Sequence, residues 1–285
     1  MATLCSNASV SRHVLDLPSA PAPVHVGDHG GGPPVVLLHG QPGAASMWAP
    51  VLPRLAAHVR VITPDRPGYG ATGGRALGIA ANAVVLGELL DALEMERATV
   101  VGHSWGGGVA LALAAEQPDR VAGLVLVASV GTCSSVDATD RLLARRLVGP
   151  ALTYAAFHAG RRVLPLPLTR QAVPGLRNLS DVALGELAGT LGDQLGRRSF
   201  VVEQRALVRE IPALDASLSR VRAPTAVVIG ERDFMVSSRV GRELAARIPD
   251  ATCTVVPGAG HVLPAEAPDA VASAVLERVR CASTG

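Results

Sequence analysis

The sequence predicts an α/β protein: a mostly parallel sheet covered by helices on both faces and interrupted once by a helical insertion. Two observations predict it. Short apolar runs recur between Gly- and Pro-rich turns and alternate with longer stretches of helical period, the rhythm of a sheet whose strands are buried on both sides. That rhythm then breaks between about Thr132 and Phe200, where the chain turns Arg-, Leu- and Pro-rich and offers helical patches such as Arg141 to Leu147 but no strand.

Taken in order, the first 30 residues supply at most two strands, near His13 to Leu17 and Pro23 to Val26. Pro34 to Leu38, Val59 to Ile62, Ala98 to Val101, Val121 to Val127, Thr225 to Ile229 and Thr252 to Val256 are too short for helices and too apolar for loops. Between them, Met47 to Ala57, Ile79 to Leu93, Val109 to Glu116, Ser238 to Ile248 and Ala267 to Val279 repeat apolar residues at helical spacing. The expected division is a core of 1–131 and 201–285 with a helical cap at 132–200. The cap carries nine arginines (141, 145, 146, 161, 162, 170, 177, 197, 198) against five acids (137, 140, 181, 186, 193), or +4, which leaves −2 for the rest of a chain whose net charge is +2. A positive cap is either a solvated face or a rim that attracts anionic or carrier-bound substrates.

Composition excludes several classes of function. All 26 basic residues are arginine, which removes Walker-type phosphate loops, lysine Schiff bases and Ser-Lys dyads. A balance of 26 basic to 24 acidic residues is too even for nucleic-acid binding, and 2% aromatics leaves few platforms for stacking bases. The run Val121 to Val130 is about half the length of a membrane span. Cys5, Cys133, Cys253 and Cys281 form no CxxC pair, and the first residues lack the basic and apolar regions of a signal peptide, so a reducing, cytoplasmic location is expected.

The chemistry centres on Gly102-His103-Ser104-Trp105-Gly106, a G-x-S-x-G directly after a strand and before a helical stretch. Such a turn is so sharp that side chains two positions either side of the serine would clash; glycine at 102 and 106 leaves room for Ser104 to project above the sheet. Three other segments converge on it. Val35 to Leu38 runs into His39-Gly40-Gln41-Pro42-Gly43, a turn that can present the Gln41 N–H to the serine, so Gln41 and Trp105 N–H are the expected oxyanion hole. The strand ending at Gly230 leads to Glu231-Arg232-Asp233, a carboxylate at a strand's carboxyl end; Asp233, further out in the loop, is preferred over Glu231. The last strand leads to Pro257-Gly258-Ala259-Gly260-His261, a histidine on a Gly-flanked loop and the expected general base.

The chain order Ser104, Asp233, His261 resembles that of the α/β-hydrolase fold superfamily, as does Asp65-Arg66-Pro67-Gly68-Tyr69-Gly70, which looks like that family's turn after its fourth strand. The resemblance covers about Val24 to Val279. It implies an eight-stranded sheet with the second strand antiparallel and a cap inserted after strand 6. It also implies acyl chemistry at Ser104, because relatives that open halides or epoxides place Asp there and often a pair of cap tyrosines, where this cap has Tyr154 alone. An ester, lactone or thioester hydrolase is the expected activity, with no cofactor and no metal. A C–C bond hydrolase, an aminopeptidase-like enzyme, and a non-hydrolytic binding or cyclase-like protein are the alternatives. Trp48, Tyr154, Phe157, Phe234, Met235 and Val262 are the expected pocket walls. His103 and His39 are expected to pack or brace, Asp65 to hold its turn, and His25-Val26-Gly27-Asp28-His29 to bind no metal. Oligomeric state stays open.

Overall fold

The computed structural model describes residues 10–164, 166–172 and 181–283. Eight strands form one sheet: β1 (Val10–Leu15), β2 (Val24–Gly30), β3 (Pro34–Leu38), β4 (Arg60–Pro64), β5 (Ala98–His103), β6 (Val121–Val127), β7 (Thr225–Gly230) and β8 (Ala251–Val256). Their spatial order is β1-β2-β4-β3-β5-β6-β7-β8. β2 runs antiparallel to both β1 and β4, and the pairs from β4 to β8 are parallel. The carboxyl ends of β3, β5, β7 and β8 therefore lie at one edge, which gathers the predicted site residues.

The helices are α1 (Leu52–Leu55), α2 (Ile79–Ala92), α3 (Trp105–Glu116), α4 (Ala138–Leu143), α5 (Gly149–Val163), α6 (Pro167–Ala172), α7 (Asp181–Gly192), α8 (Gln194–Ser217), α9 (Ser238–Arg247), α10 (Leu263–Glu266) and α11 (Pro268–Ser283). Because side chains alternate across a strand, β3 sends Val36 and Leu38 into one core layer and Val35 and Leu37 into the other. The first layer packs under α2, α3, α9 and the distal half of α8, and the second under α1, α10 and α11. Helix α3 is buried along nearly its whole length, so it has no polar face. Central strands paired on both edges and a helix α3 apolar all round account for so aromatic-poor a sequence building a large core from Ala, Val and Leu.

Two predicted elements differ. Met47 to Ala57 is a 3₁₀ turn at Ala45–Trp48 and the single turn α1; Pro50 and Pro53 lack the N–H that a continuous helix needs. Helix α3 starts at Trp105, four residues earlier than expected, taking in Gly106, Gly107 and Gly108 despite their poor propensity. Close packing demands them: a Cβ on Gly107 would lie 1.9 Å from Ser129 Oγ.

Between β6 and β7 the chain forms α4 to α8, and no strand occurs there among the described residues. Helix α8 runs through the boundary expected at 200/201, from its Asp193 N-cap to Ser217, and a 3₁₀ turn at Leu218–Arg220 leads on toward β7. Among the described residues no helix is long and apolar enough to cross a membrane.

Candidate active site

Ser104 stands between β5 and α3 at φ 52°, ψ −121°, a backbone region that non-glycine residues rarely occupy. Neighbouring backbone holds it there: Ser104 N–H donates to Val127 O at 2.9 Å. The flanking glycines are required for the reason the motif implies. A Cβ on Gly102 would fall 2.4 Å from Gly107 Cα, and one on Gly106 2.4 Å from His39 O.

Three side chains from three loops meet in a row. His261 Nε2 lies 3.1 Å from Ser104 Oγ, and His261 Nδ1 lies 2.8 Å from Asp233 Oδ2. The other carboxylate oxygen, Asp233 Oδ1, accepts from Met235 N and Val236 N at 2.9 and 2.8 Å. Those amide donors fix the carboxylate's orientation, and with it the ring of His261. Glu231, the competing acid, points elsewhere and accepts from Gly258 N at 2.8 Å. Ser104, His261 and Asp233 are all less than a tenth exposed. Burial strengthens each of these contacts relative to water.

His103 is an imidazole enclosed under this row. Its Nε2 donates to His261 O at 2.9 Å, and its ring centroid is 5.0 Å from that of His261. Burial, with repulsion from His261, presses its pKa down to about 3. His103 is thus neutral at ordinary pH and anchors the backbone of the histidine beside Ser104.

The loop after β3 is braced with equal care. A Cβ on Gly40 would sit 3.0 Å from Ser104 Cβ, so the loop passes directly by the serine. Arg66 N–H donates to His39 Nε2 at 2.9 Å, which makes Nδ1 the protonated nitrogen, bonded to Gly40 O at 2.9 Å. Burial beside Arg66 holds His39 well below the usual histidine pKa. The Arg66 guanidinium donates to His39 O and Gly40 O at 2.9 and 3.0 Å, stacks 4.5 Å over the Trp105 ring and pairs with Glu203 of α8. Glu203 is 0% exposed and accepts from Tyr69 Oη at 2.8 Å. Burial raises its carboxyl above the ordinary range while Arg66 and Tyr69 oppose that shift.

Next along α8, Gln204 Oε1 accepts from Gln41 Nε2 at 2.9 Å, and Gln204 Nε2 donates to Asp140 of α4 at 2.7 Å. Gln41 and the start of α3 thus flank Ser104. The Trp105 N–H, at the first helical position, has no intrahelical acceptor.

Asp65 holds its turn: Oδ1 accepts from Ala45 N at 2.7 Å and Oδ2 from Ala71 N at 2.8 Å. Asp28 is engaged by Arg60 at 2.9 Å and His13 at 3.1 Å.

The expected pocket walls scatter. Trp48 is fully buried in the second core layer, because the 3₁₀ turn that carries it faces the core beside β3 and β4. Phe157 packs edge-on against Phe200, 5.0 Å between centroids, inside the α5–α8 contact. Phe234 and Met235 are 71% and 58% exposed beside Asp233. Tyr154 is exposed under the Arg197 guanidinium, 5.3 Å from it, on the outer side of α8. Val262 follows His261, its N–H held by Glu266 Oε1 at 2.9 Å. Sequence reasoning missed Arg66, Tyr69, Glu203 and Gln204 as braces. The Asp65-to-Gly70 turn pointed to the first two; nothing in a helix of mixed polarity marked the others.

A family profile described as alpha/beta hydrolase fold matches residues 33–268. The chain belongs to the α/β-hydrolase fold family and is a hydrolase of that fold. Over 268 residues it is 26% identical to haloalkane dehalogenase 2 of Mycobacterium tuberculosis, covering 90% of this chain and 91% of that one. Over 142 residues, 48% of this chain and 50% of the other, it is 41% identical to 2-hydroxy-6-oxo-2,4-heptadienoate hydrolase of Pseudomonas putida. The structure of 2-hydroxy-6-oxo-6-phenylhexa-2,4-dienoate hydrolase from Rhodococcus sp. strain RHA1 superposes with a TM-score of 0.77 at 26% identity, over 95% of this chain and 100% of that one.

Proposed function

We propose that the protein is a serine hydrolase of carboxylic esters, lactones or thioesters, working through an acyl-enzyme on Ser104 under a helical cap. The observation that carries this reading is the row Ser104 Oγ, His261 Nε2, His261 Nδ1, Asp233 Oδ2, with spacings of 3.1 and 2.8 Å. His261 takes the hydroxyl proton as Oγ attacks the carbonyl carbon, and Asp233 holds the Nδ1 hydrogen and stabilises the imidazolium. The carbonyl oxygen becomes an oxyanion facing the Gln41 and Trp105 N–H groups, a donor of this type being worth about 3 kcal/mol. His261 then returns the proton to the leaving alcohol or thiol. Water, deprotonated by His261, attacks the acyl carbon and releases the acid and Ser104. The site requires no cofactor or metal for these steps.

The nucleophile argues against the chemistry of the dehalogenase relative. A carboxylate that displaces a halide forms an ester, which water can cleave; a serine would form an ether, which it cannot. Acyl transfer leaves an ester on Ser104 and turns over.

A second reading is supported by the two dienoate-hydrolase relatives: cleavage of a C–C bond beside a ketone, in which the leaving group departs as a carbanion equivalent and takes up a proton. The test is fluorophosphonate labelling with peptide mapping, beside Ser104→Ala, followed by p-nitrophenyl esters of graded length and a 2-hydroxy-6-oxo-dienoate. Stoichiometric labelling at Ser104 and a loss of about 10³-fold or more in Ser104→Ala are expected. An unlabelled, folded protein whose activity survives Ser104→Ala would transfer weight to a non-hydrolytic role. Preference for the dienoate over every ester would select the second reading.

A further inference from the structure

On the outer side of α8 lies a cavity of about 720 Å³, walled also by α5 and by the loop at 74–76. Ser104, Asp233 and His261 do not line it. Arg198, Val202 and Arg205 share one face of α8, roughly opposite Glu203 and Gln204, which reach Arg66 and Gln41, while Arg197 and Ser199 extend the cavity's lining to either side of that face.

Four guanidinium groups line this cavity, those of Arg75, Arg197, Arg198 and Arg205. Among the described residues none of the four has a carboxylate partner. Arg197 and Arg205 are steadied by neutral groups: Arg197 by Gly192 O at 3.0 Å and the Tyr154 ring, Arg205 by Ala144 O and Arg146 O at 3.3 Å each. The adjacent acid, Asp193, is committed as N-cap to Leu195 N and Gly196 N at 3.2 and 2.9 Å. Nearby on α5, the His158 imidazole is held below its ordinary pKa first by partial desolvation and then by Arg162, Arg161 and Arg197, of which Arg197 lines the cavity.

Two further features mark a ligand site and not merely a charged face. Thr153, 1% exposed, lines the cavity, and among the described residues its hydroxyl has no hydrogen-bond partner, a buried polar atom left unsatisfied at a cost unless something bonds it. The walls between the arginines are aliphatic, from Ala76, Leu195 and Val201.

We propose that this cavity is a second binding site, separate from Ser104, for an anionic amphiphile: a phosphate or carboxylate head group held by Arg197, Arg198 and their neighbours, with a short aliphatic tail along the apolar wall. Guanidinium forks match both head groups, and the aliphatic carbon between them offers apolar surface to a tail. Two of the nine arginines of the 132–200 segment, Arg197 and Arg198, then have a purpose beyond solvation.

Calorimetric titration of the full chain tests this with octyl phosphate, octanoate, octanol and inorganic phosphate. One-to-one binding of octyl phosphate or octanoate is expected, weakening as salt rises, with octanol and free phosphate each at least tenfold weaker; the stronger of the two acids identifies the head group. R197Q/R198Q should weaken it at least tenfold, Thr153→Val severalfold, and fluorophosphonate-blocked Ser104 should leave it unchanged. Arg198 is exposed, so R198Q alone provides a variant whose fold is not at stake, checked by circular dichroism. The proposal is overturned if neither acid binds saturably, if R198Q and R197Q/R198Q bind as the wild type does, or if blocking Ser104 abolishes binding.

Discussion

Replacing Arg66 by methionine leaves the Glu203 carboxylate, 0% exposed, with the Tyr69 hydroxyl as its remaining donor. Removing one partner of a buried ion pair costs about 3–5 kcal/mol, and the carbonyls of His39 and Gly40 each lose a charged donor as well. Burial already raises the Glu203 carboxyl. Without the guanidinium it rises further, and Glu203 takes up a proton before the full electrostatic cost is felt. The sign follows. A carboxyl whose folded pKa exceeds its unfolded one binds more protons folded, so the Arg66→Met protein loses stability as pH rises above the unfolded value of about 4.5 and retains more of it at pH 5 than at pH 8. Adding Glu203→Gln removes the stranded charge and should restore about 2–3 kcal/mol, a coupling that independent sites would not show. The assay is urea unfolding at both pH values, followed by circular dichroism and by fluorescence of Trp48 and Trp105. A single variant within about 1 kcal/mol of wild type, or a double variant no more stable than Arg66→Met, refutes the reasoning.

The remaining predictions concern the row itself. Asp233→Asn should lower kcat by about 10⁴-fold, by favouring the wrong imidazole tautomer, while Glu231→Gln leaves it within about twofold; ester turnover in which Glu231→Gln is the damaging change would reverse the assignment. His103 has a folded pKa of about 3 against 6.5, so its contribution to stability is complete above pH 6.5 and is lost as pH falls toward 3. Between pH 7 and pH 5 the wild type should therefore lose about 2 kcal/mol more than His103→Gln, which keeps a donor for His261 O; parallel losses in the two proteins would show that His103 is not the group. Gly106→Ala places a methyl 2.4 Å from His39 O and should destabilise by about 3 kcal/mol, measured by the same unfolding; a neutral result would mean that the turn is looser than its geometry.

Much of this site was legible because its parts are local. Gly102 to Gly106 needs its two glycines within the same turn, and strand ends are announced by apolar runs that stop at Gly or Pro, so Ser104, Asp233 and His261 could be placed at one edge from the order of elements alone. The different reach of the two acids was also readable: Asp233 lies far enough past β7 to meet His261, and Glu231 accepts from Gly258 N instead. The pocket walls could not be read the same way. Whether an aromatic faces the site or the core depends on the rotation of the short turn that carries it, and the 3₁₀ turn at Ala45–Trp48 buries Trp48 in the core, where a continuous helix had been expected.

Arg66 and Glu203 fail to announce themselves for a different reason. Each is a charge in a segment that could equally be solvated, and their pairing across 137 positions of sequence exists only once α8 is laid against the loop after β4. That pairing has a physical consequence for how the site is built. The loop carrying Gly40 and Gln41 passes beside Ser104, and its fixed points are Arg66 and Gln204, held in turn by Glu203 and by Asp140. A donor array stabilises a developing oxyanion to the extent that it is already in place. Two neighbouring residues of α8 and one of α4 therefore set the rigidity of a loop that neither helix belongs to, and the 132–200 segment reaches that loop through Asp140, which accepts from Gln204. A substitution at Gln204 that leaves the Arg66–Glu203 pair intact should consequently slow fluorophosphonate labelling of Ser104 while costing less stability than Arg66→Met.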